Sequence, residues 1–344
     1  MNNLKVTLKQ LAVIIPQLFK ANTLVPFIQS SPGIGKSSLA AQIADKFGLK
    51  LIDVRLAECD PTDIGGLPYF DEKTGKTKTY PYETFPTTDT PIPEGYKGFL
   101  LLLDEFNSAP LSVQGASYKV VLDRKVGQHT LHGRVFIIAA GNLETDNAIV
   151  NPLSSAMVSR FAMFEVQLSH QDWMEWATDN GIDYRITGFL NWKPDFLYTF
   201  NPDACDKPYS CPRTWEALSK VLVTMKDTTN LLYIAASMVG EGVAREFIAY
   251  IELYHKLPTF QTLISKPDAF VLDDNMSIRW ATMGMLAHNI KPDNVVACCT
   301  ILDKFPHELI VVALREITMR HKNLRHESKE FSKWLSTTSV KILA

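Results

Sequence analysis

The segment QSSPGIGKSS, residues 29–38, constrains the fold more than any other part of the chain. Gly35, Lys36 and Ser37 complete the pattern G-x-x-x-x-G-K-[ST], in which backbone N–H groups cradle phosphate groups. Ser30 stands where this pattern has its first glycine. The segment is therefore either a phosphate-binding loop or an ordinary Pro-Gly turn that caps a helix, and the neighbouring sequence decides between the two.

The neighbouring sequence favours the phosphate-binding loop. The apolar run LVPFIQ (24–29) predicts a strand directly before it, and the spacing of Leu39, Ile43 and Phe47 predicts a helix over 36–48 after it. Strand, glycine loop and helix in this order are the context in which the pattern binds a nucleotide.

Each residue type in the loop has a chemical reason. Gly33 and Gly35 let the backbone approach the phosphates, Lys36 would contact the β and γ phosphates, and the Ser37 hydroxyl would ligate Mg²⁺. The predicted nucleotide-binding residues are Ser31, Pro32, Gly33, Ile34, Gly35, Lys36, Ser37 and Ser38.

Four further apolar runs predict strands: LKLIDVRL (49–56), FLLLLDE (99–105), RVFIIAAGN (134–142) and AMFEVQL (162–168). A near-continuous run such as FLLLL suits a strand covered on both faces, which is typical of parallel sheets in α/β proteins. Together with the strand before the loop, these runs predict an α/β fold with a five-stranded parallel sheet.

Polar residues end two of these strands. Asp104 and Glu105 follow FLLLL, and Asn142 ends the later run. Parallel-sheet enzymes place their sites at the carboxyl ends of strands. We expect Asp104 to hold Mg²⁺ through water, Glu105 to polarise an attacking water, and Asn142 to bond the γ-phosphate or that water. The alternative is that the two acids begin an exposed helix and that Gly-Asn is a simple turn.

Two arginines follow in the chain, Arg160 in VSRF and Arg213 in CPRTWEAL. A guanidinium suits the charge that develops on a transferring phosphoryl group. Each arginine alone is more often a surface residue. Their order after the loop, the Asp-Glu pair and the asparagine makes them candidates.

Residues 57–98 are rich in proline, glycine, threonine and aromatic residues and lack a helical period. YFDEKTGKTKTYPY predicts a β-hairpin that turns at Thr74-Gly75, and RKVGQHTLHGRV (124–135) predicts a second one. A long irregular insertion within a compact domain is usually functional.

Helical patterns dominate both ends of the chain. The start, MNNLKVTLKQLAVIIPQLFK, predicts an amphipathic helix that ends near Pro16 or shortly after, and the chain beyond residue 169 is helical in pattern. The tail from Arg320 to Lys333 is basic, but Glu327 and Glu330 interrupt it, which is more typical of a solvated helix face than of a nucleic-acid site.

Composition limits the function classes. The formal net charge of −2 and the sequence pI of about 6.5 argue against a protein that coats nucleic acid. The cysteines form no C-x-x-C pair, which favours reduced thiols. They are Cys59, Cys205, Cys211, Cys298 and Cys299. No run approaches a membrane span and no signal-peptide pattern is present, so we expect a cytoplasmic protein (in the host cytoplasm if phage-encoded) without a membrane partner.

The ordered motifs resemble those of AAA+ ATPases, and the sequence between them is similar to the MoxR-like branch in its compact bacterial and phage forms. The similar stretches are ECDPTDIGGLPYF, LLLLDEFNSAP, IIAAGN and NPLSSAMVSRF, and the resemblance covers roughly residues 25–225. The chain departs from the family pattern at Ser30, Phe106, Ser108, Gly141 and Ser159.

The resemblance implies a P-loop NTPase fold with an AAA+ core, an all-helical lid and a C-terminal helical region. Residues 1–168 would form the nucleotide-binding domain, with a helix-2 insert at about 60–97 and a pre-sensor-1 hairpin at about 124–135. Residues 169–255 would form the lid that carries sensor 2, and residues 256–344 the C-terminal extension.

The resemblance also implies site roles. Lys36 and Ser37 match Walker A, Asp104 and Glu105 match Walker B, and Asn142 matches sensor 1.

The remaining matches concern assembly. Arg160 matches the arginine finger, which acts on a neighbouring subunit's nucleotide, and Arg213 matches sensor 2. The two hairpins would face a central pore or a partner, with Tyr69, Tyr80, Lys125 and His129 located there. The alternative is that the tyrosines only pack the hairpin.

The function implied is ATP hydrolysis at the subunit interfaces of a hexameric ring, with ATP and Mg²⁺ bound, to remodel or activate a partner protein. A protein client, or a partner with a von Willebrand factor A domain, would be the target of this chaperone-like motor. Two alternatives stay open: a nucleic-acid-linked motor, McrB-like or helicase-like, and a nucleotide-gated scaffold with little hydrolysis.

Overall fold

The computed structural model describes residues 4–22, 24–146, 150–204, 206–225, 227 and 229–343. The chain divides into two compact units, Met1–Ser169 with Asn201–Cys205, and His170–Phe200 with Asp206–Ala344. Cys205 lies outside the described residues, and the other four cysteines are free thiols. The division between a lid and a C-terminal extension at residues 255 and 256 stays a prediction.

The first unit is built on a parallel sheet. The strands of this unit are β1 (Lys5–Val6), β2 (Val25–Gln29), β3 (Leu49–Arg55), β4 (Leu67–Asp71), β5 (Lys76–Tyr80), β6 (Gly98–Asp104), β7 (Lys125–Val126), β8 (His129–Thr130), β9 (Val135–Gly141) and β10 (Phe161–Val166). The main sheet has the order β1-β10-β2-β9-β6-β3, with every pair parallel.

The predicted α/β fold with a parallel sheet is confirmed, but the described residues give the sheet six strands instead of five. The additional strand, β1, has two residues and pairs with the end of β10 at the sheet edge. A two-residue strand is too short to carry a periodic pattern, so the sequence could not indicate it.

Burial on both faces explains the leucine run of β6. Phe99, Leu101 and Leu103 lie in a core with residues of helix α4, while Leu100 and Leu102, which point to the opposite face, are also buried. Because both faces of β6 are covered, the run needs no polar alternation until Asp104.

The helices of the first unit are α1 (Leu8–Ala21), α2 (Lys36–Phe47), α3 (Pro61–Gly65), α4 (Leu111–Leu122) and α5 (Ser155–Val158). Helix α1 contains Pro16 and continues five residues beyond it, to Ala21. A capping box at Thr7 and Gln10 fixes its start, and the burial of Leu11 and Ile15 holds its apolar face. This packing outweighs the hydrogen bond that Pro16 cannot donate.

Two antiparallel hairpins project from this unit. In the first, β4 pairs with β5 and the Tyr69 and Tyr80 rings stack with centroids 3.9 Å apart, although Tyr80 remains 60% exposed. In the second, β7 pairs with β8, and His129 Nε2 donates to Thr79 O across a distance of 2.7 Å. The stacked tyrosines therefore do pack the hairpin, and their role toward a pore or partner stays a prediction.

The described residues of the second unit form helices joined by turns and irregular segments, and none of them lies in a strand. Its helices are α6 (His170–Asp179), α7 (Tyr184–Trp192), α8 (Pro212–Thr224), α9 (Leu231–Val239), α10 (Glu241–Lys256), α11 (Phe260–Ser265), α12 (Met276–Asn289), α13 (Val295–Leu302), α14 (His307–Arg320), α15 (Leu324–Glu327) and α16 (Lys329–Leu343). Leu286, Ile310, Ile317 and Phe331 are among its core residues. In the part of the chain that the structure describes, no helix combines the length and apolar composition needed to cross a membrane.

Candidate functional site

The glycine loop joins β2 to α2. Gly33 (φ 77°) and Gly35 (φ 116°) adopt backbone conformations that residues with a Cβ rarely tolerate. Gly35 is the N-cap of α2 and no side chain caps the first turn of this helix. The first-turn N–H groups and the positive end of the helix dipole are therefore directed toward the loop, which is the arrangement that binds anions.

The eight predicted nucleotide-binding residues all lie in this loop or in the first turn of α2. They are Ser31, Pro32, Gly33, Ile34 and Gly35 in the loop, and Lys36, Ser37 and Ser38 in the helix. The first glycine of the pattern is replaced by Ser30, which is fully buried and donates from Oγ to Ser31 O (3.0 Å).

Lys36 is directed at polar atoms of two strand ends. Its Nζ donates to Ser30 O (3.1 Å), to Ser30 Oγ (3.2 Å) and to Asn142 Oδ1 (3.2 Å). The Ser30 hydroxyl thus supplies an acceptor to Lys36 that a glycine could not. Since β2 and β9 are neighbours in the sheet, their carboxyl ends bring Lys36 and Asn142 together.

Ser37 contacts Asp104 at the carboxyl end of β6. Ser37 Oγ donates to Asp104 Oδ2 over 2.7 Å, while the other oxygen of this carboxylate accepts from the Glu105 N–H over 2.8 Å. A hydroxyl and a carboxylate oxygen are hard oxygen ligands of the kind Mg²⁺ takes, usually with one or two carboxylates and the phosphates of a nucleotide. The pair therefore fits the predicted magnesium site.

Glu105 has a strained backbone. Its φ of 55° lies in the left-handed region, and its carbonyl accepts hydrogen bonds from Ser108 and Ala109 N–H groups. A non-glycine residue in this region is uncommon and is often found at functional sites. The two acids do not begin an exposed helix: Asp104 ends β6, and a buried 3₁₀ turn, Phe106–Ser108, follows Glu105.

Two residues of the site were not singled out by the sequence. Asn107 is 2% exposed and bonds the backbone of Asn142. Asp146 is 6% exposed and accepts from Ser31 Oγ (3.1 Å) through Oδ1. An asparagine two residues after the Asp-Glu pair was the one available signal for Asn107, and nothing local marked Asp146.

Asp146 brings a buried carboxylate to the glycine loop, in addition to the half-buried Asp104. Burial raises the pKa of this carboxyl, and the Ser31 hydroxyl and the Lys36 charge oppose that rise. Its Oδ2 is buried and has no hydrogen-bond partner among the described residues. The carboxylate thus adds negative potential next to Lys36 at the loop.

Arg160 lies away from this cluster, and Arg213 belongs to the other unit. Arg160 directly precedes β10, and Phe161, the first residue of β10, pairs with Val25. Arg160 therefore lies where the parallel strands have their amino-terminal ends. The glycine loop leaves β2 at the opposite edge, roughly 15 Å further along the strands. Arg160 is exposed and donates to Ala156 O (2.9 Å). Arg213 is exposed on the first turn of α8 and belongs to the second unit.

No protein-family model matches the chain, and no curated protein matches it either. Among solved structures, similar ones include the RuvB Holliday junction branch migration motor of Thermotoga maritima (14% identity, 76% of this chain and 74% of that chain, TM-score 0.36). Others are NtrX of Brucella abortus in complex with ADP (15% identity, 93% and 68%, TM-score 0.38) and a protein of Cytophaga hutchinsonii (13% identity, 98% and 90%, TM-score 0.36). At these TM-scores, a functional assignment has to rest on the residues of the site.

Proposed function

We propose that the chain is an ATP-hydrolysing AAA+ ATPase whose site is the cluster at the carboxyl ends of β2, β6 and β9. The observation that carries this proposal is the pair of contacts that the first turn of α2 makes with the carboxyl ends of β6 and β9. Ser37 bonds Asp104 at 2.7 Å, and Lys36 bonds Asn142 at 3.2 Å. A Pro-Gly turn that only capped a helix would not require these four side chains to lie together.

Nucleotide binding follows from the loop. The backbone N–H groups of Gly33, Gly35 and the first turn of α2 would surround the β-phosphate, and Lys36 would exchange its contacts with Ser30 and Asn142 for phosphate oxygens. Ser37 and Asp104 would hold Mg²⁺, which supplies charge neutralisation to the phosphates.

Hydrolysis would use the polar groups next to the phosphates. Glu105 would accept a proton from, or polarise, the attacking water, and its unusual φ would fix the direction of its carboxylate. Asn142 would orient this water or the γ-phosphate from the neighbouring strand end.

Assembly would complete the site. Because Arg160 lies at the sheet edge opposite the glycine loop, it suits the nucleotide of a neighbouring subunit, which supports a ring of identical chains with Arg160 as the arginine finger. Arg213 would act as sensor 2 from the helical unit.

The finer assignment is a MoxR-like motor that remodels a partner protein, and it rests on the sequence resemblance and on the two hairpins, of which the first exposes Tyr80. A nucleic-acid-linked motor predicts strong stimulation by DNA with a steep salt dependence, and a McrB-like motor predicts GTP hydrolysis. A gated scaffold predicts nucleotide binding with negligible turnover. Pull-down with Glu105→Gln and ATP would identify the class of client.

The central test is ATP hydrolysis by purified protein at concentrations where the ring forms. We expect Glu105→Gln to lower kcat at least about 100-fold while ATP still binds, because general-base catalysis typically contributes that much. Lys36→Ala should lose both binding and hydrolysis, and Arg160→Ala should lose hydrolysis alone. Lys46→Ala, an exposed lysine on the same helix, is the matched control and should behave as wild type.

Full activity of Glu105→Gln would overturn the role given to this residue. Wild-type protein that neither binds nor hydrolyses a nucleoside triphosphate would overturn the proposed function as a whole.

A further inference from the structure

Asn107 connects the ends of β6 and β9, which carry the two residues proposed to act in hydrolysis, Glu105 and Asn142. Its side chain, 2% exposed, donates from Nδ2 to Asn142 O (2.8 Å) and accepts at Oδ1 from Asn142 N (3.0 Å). The Asn107 amide thus pairs with both the N–H and the C=O of Asn142. The ladder between β6 and β9 ends at Leu103 and Ala139, so the Asn107 amide continues the pairing past the strand ends.

The residue before Asn142 leaves room for this amide. A Cβ on Gly141 would lie 2.8 Å from Asn107 Cγ and closer still to its Oδ1, and 3.0 Å from Phe27 Cζ. Gly141 does not have a positive φ, so the space taken by Asn107 and Phe27, and not the backbone conformation, excludes a larger residue here. Gly141 and Asn107 therefore form a matched pair across the two strand ends.

Asn107 is also two residues from Glu105. The carbonyl of Glu105 accepts from Ser108 and Ala109 N–H groups and closes the turn that carries Asn107. The strained backbone of Glu105 and the amide of Asn107 thus belong to one hydrogen-bonded turn. From this turn the contacts run through Asn142 to Lys36, 3.2 Å from Asn142 Oδ1.

We propose that Asn107 is a positioning residue that fixes Asn142 relative to Glu105, so that ATP hydrolysis depends on it while nucleotide binding does not. This inference rests on the proposed function. Glu105 and Asn142 would have to meet one water from two different strand ends, and a displacement near 1 Å can cost about 100-fold in rate. Among the described residues, Asn107 makes no hydrogen bond to the phosphate loop itself. Its indirect link, through Asn142 to Lys36, is one that Lys36 would exchange for phosphate oxygens when nucleotide binds.

The test compares Asn107→Ala with wild type in two measurements. We expect kcat for ATP hydrolysis to fall roughly 10- to 100-fold. We expect the Kd for a nonhydrolysable ATP analogue with Mg²⁺ to change less than about threefold, because no loop contact is lost. Asn107→Asp keeps an acceptor for Asn142 N but places a second acceptor against Asn142 O, so it should be no more active than Asn107→Ala.

Gln114 provides a matched control. It is 1% exposed, and its Nε2 donates to Ala109 O (3.1 Å), next to the same turn but without contact to Asn142. Gln114→Ala should lose stability to a similar degree, and its kcat should stay within about threefold of wild type. A merely structural role for Asn107 predicts equal kinetics for the two variants.

A second variant reaches the same contact from the other strand. Gly141→Ala would push the Asn107 amide away from Asn142, so it should reproduce the loss of kcat with preserved nucleotide affinity, and it decides the question if Asn107→Ala does not fold.

The outcomes separate the two proposals. Wild-type protein that does not hydrolyse ATP overturns the proposed function and the inference with it. Wild-type hydrolysis with an unchanged kcat in Asn107→Ala, an equal loss of kcat and affinity, or the same loss of kcat in Gln114→Ala overturns the inference alone.

Discussion

Glu105 combines a strained backbone with a carboxylate at the end of a buried strand. For an L-residue the left-handed conformation costs about 1–2 kcal/mol, and glycine adopts it without that penalty. The surrounding turn enforces the conformation through hydrogen bonds from Ser108 and Ala109 to the Glu105 carbonyl. Such a cost at one residue is consistent with selection for the direction of its side chain and not for stability.

We therefore expect Glu105→Gly to raise the free energy of unfolding of the first unit by about 0.5–1 kcal/mol and to abolish ATP hydrolysis. Glu105→Gln retains the strain, so it should abolish hydrolysis without a gain in stability. Denaturant unfolding and ATPase assays of both variants check this. Equal stabilities of the Gly and Gln variants would mean that the φ of Glu105 costs no more than the conformational entropy that glycine adds to the unfolded chain.

We expect His170 to make the helical unit less stable in acid. Its Nε2–H donates to Leu190 O (2.9 Å), and burial, with the Arg315 charge as a smaller cause, lowers the pKa of His170 below its usual 6.5 despite that hydrogen bond. Between pH 6.5 and the lowered value the unfolded chain binds a proton that the folded chain does not. The contribution to stability is thus present above pH 6.5 and is lost as the pH falls through the folded pKa.

We expect the free energy of unfolding to fall more steeply from pH 7.5 to 5.5 in wild type than in His170→Gln, by up to about 1 kcal/mol. Denaturant unfolding at the two pH values checks this, and His129→Gln, in the first unit, is the control. Identical slopes in wild type and His170→Gln would contradict the prediction.

Among individual residues, the sequence singled out those candidate site residues that a local motif marks. Lys36, Ser37 and Asp104 follow from motif and spacing, and the structure brings them together. Asn107 was marked only by its position after the Asp-Glu pair, and no local pattern marked Asp146. Their importance comes from contacts with Asn142 and Ser31, which are 35 and 115 residues away in the chain.

The strands and helices, too, were predictable only where the local sequence carries a pattern. The strands β2, β3, β6, β9 and β10 are long enough to carry an apolar pattern, and each lies where the sequence predicted one. The helix α1 passes through Pro16 because burial of its apolar face outweighs a local breaker, and a local pattern contains no measure of that burial.

The second hairpin packs closely on the first, and the contact depends on one glycine. A Cβ on Gly127 would overlap Gly65 O and Thr79 Oγ1, and the φ of Gly127 is 57°. Gly75, in the turn of the first hairpin, has a similar φ of 62° but open space around it. The two glycines therefore differ in their surroundings and not in their backbone conformation.

We expect Gly75→Ala to cost about 0.5–1 kcal/mol, because the backbone strain is partly offset by the lower conformational entropy of alanine in the unfolded chain. Gly127→Ala should cost about 1–3 kcal/mol more, because overpacking is added to the same strain, and it should separate the two hairpins. Thermal unfolding of both variants measures the difference, and faster proteolysis within 124–135 should mark Gly127→Ala. Equal losses in the two variants would mean that the contact between the hairpins contributes nothing.

For the whole molecule, the distribution of tryptophan allows the two units to be observed separately. All six tryptophans lie in the second unit, at Trp173, Trp176, Trp192, Trp215, Trp280 and Trp334. Intrinsic tryptophan fluorescence therefore follows the unfolding of the helical unit, whereas calorimetry detects both units. The proposed phosphate loop lies in the first unit, and the proposed sensor 2, Arg213, lies in the second.

A nonhydrolysable ATP analogue with Mg²⁺ should raise the stability of the first unit by about 2.7 kcal/mol at 100 times its Kd. If Arg213 contacts the nucleotide, the tryptophan-monitored transition should rise as well, because the ligand then binds the folded form of both units. Arg213→Ala should abolish the rise seen by fluorescence and retain the calorimetric rise of the first unit. Lys220→Ala, another exposed cation on α8, should retain both. A fluorescence transition in Arg213→Ala that still rises as in wild type would remove Arg213 from the site and leave the loop of the first unit as the whole of the nucleotide contact.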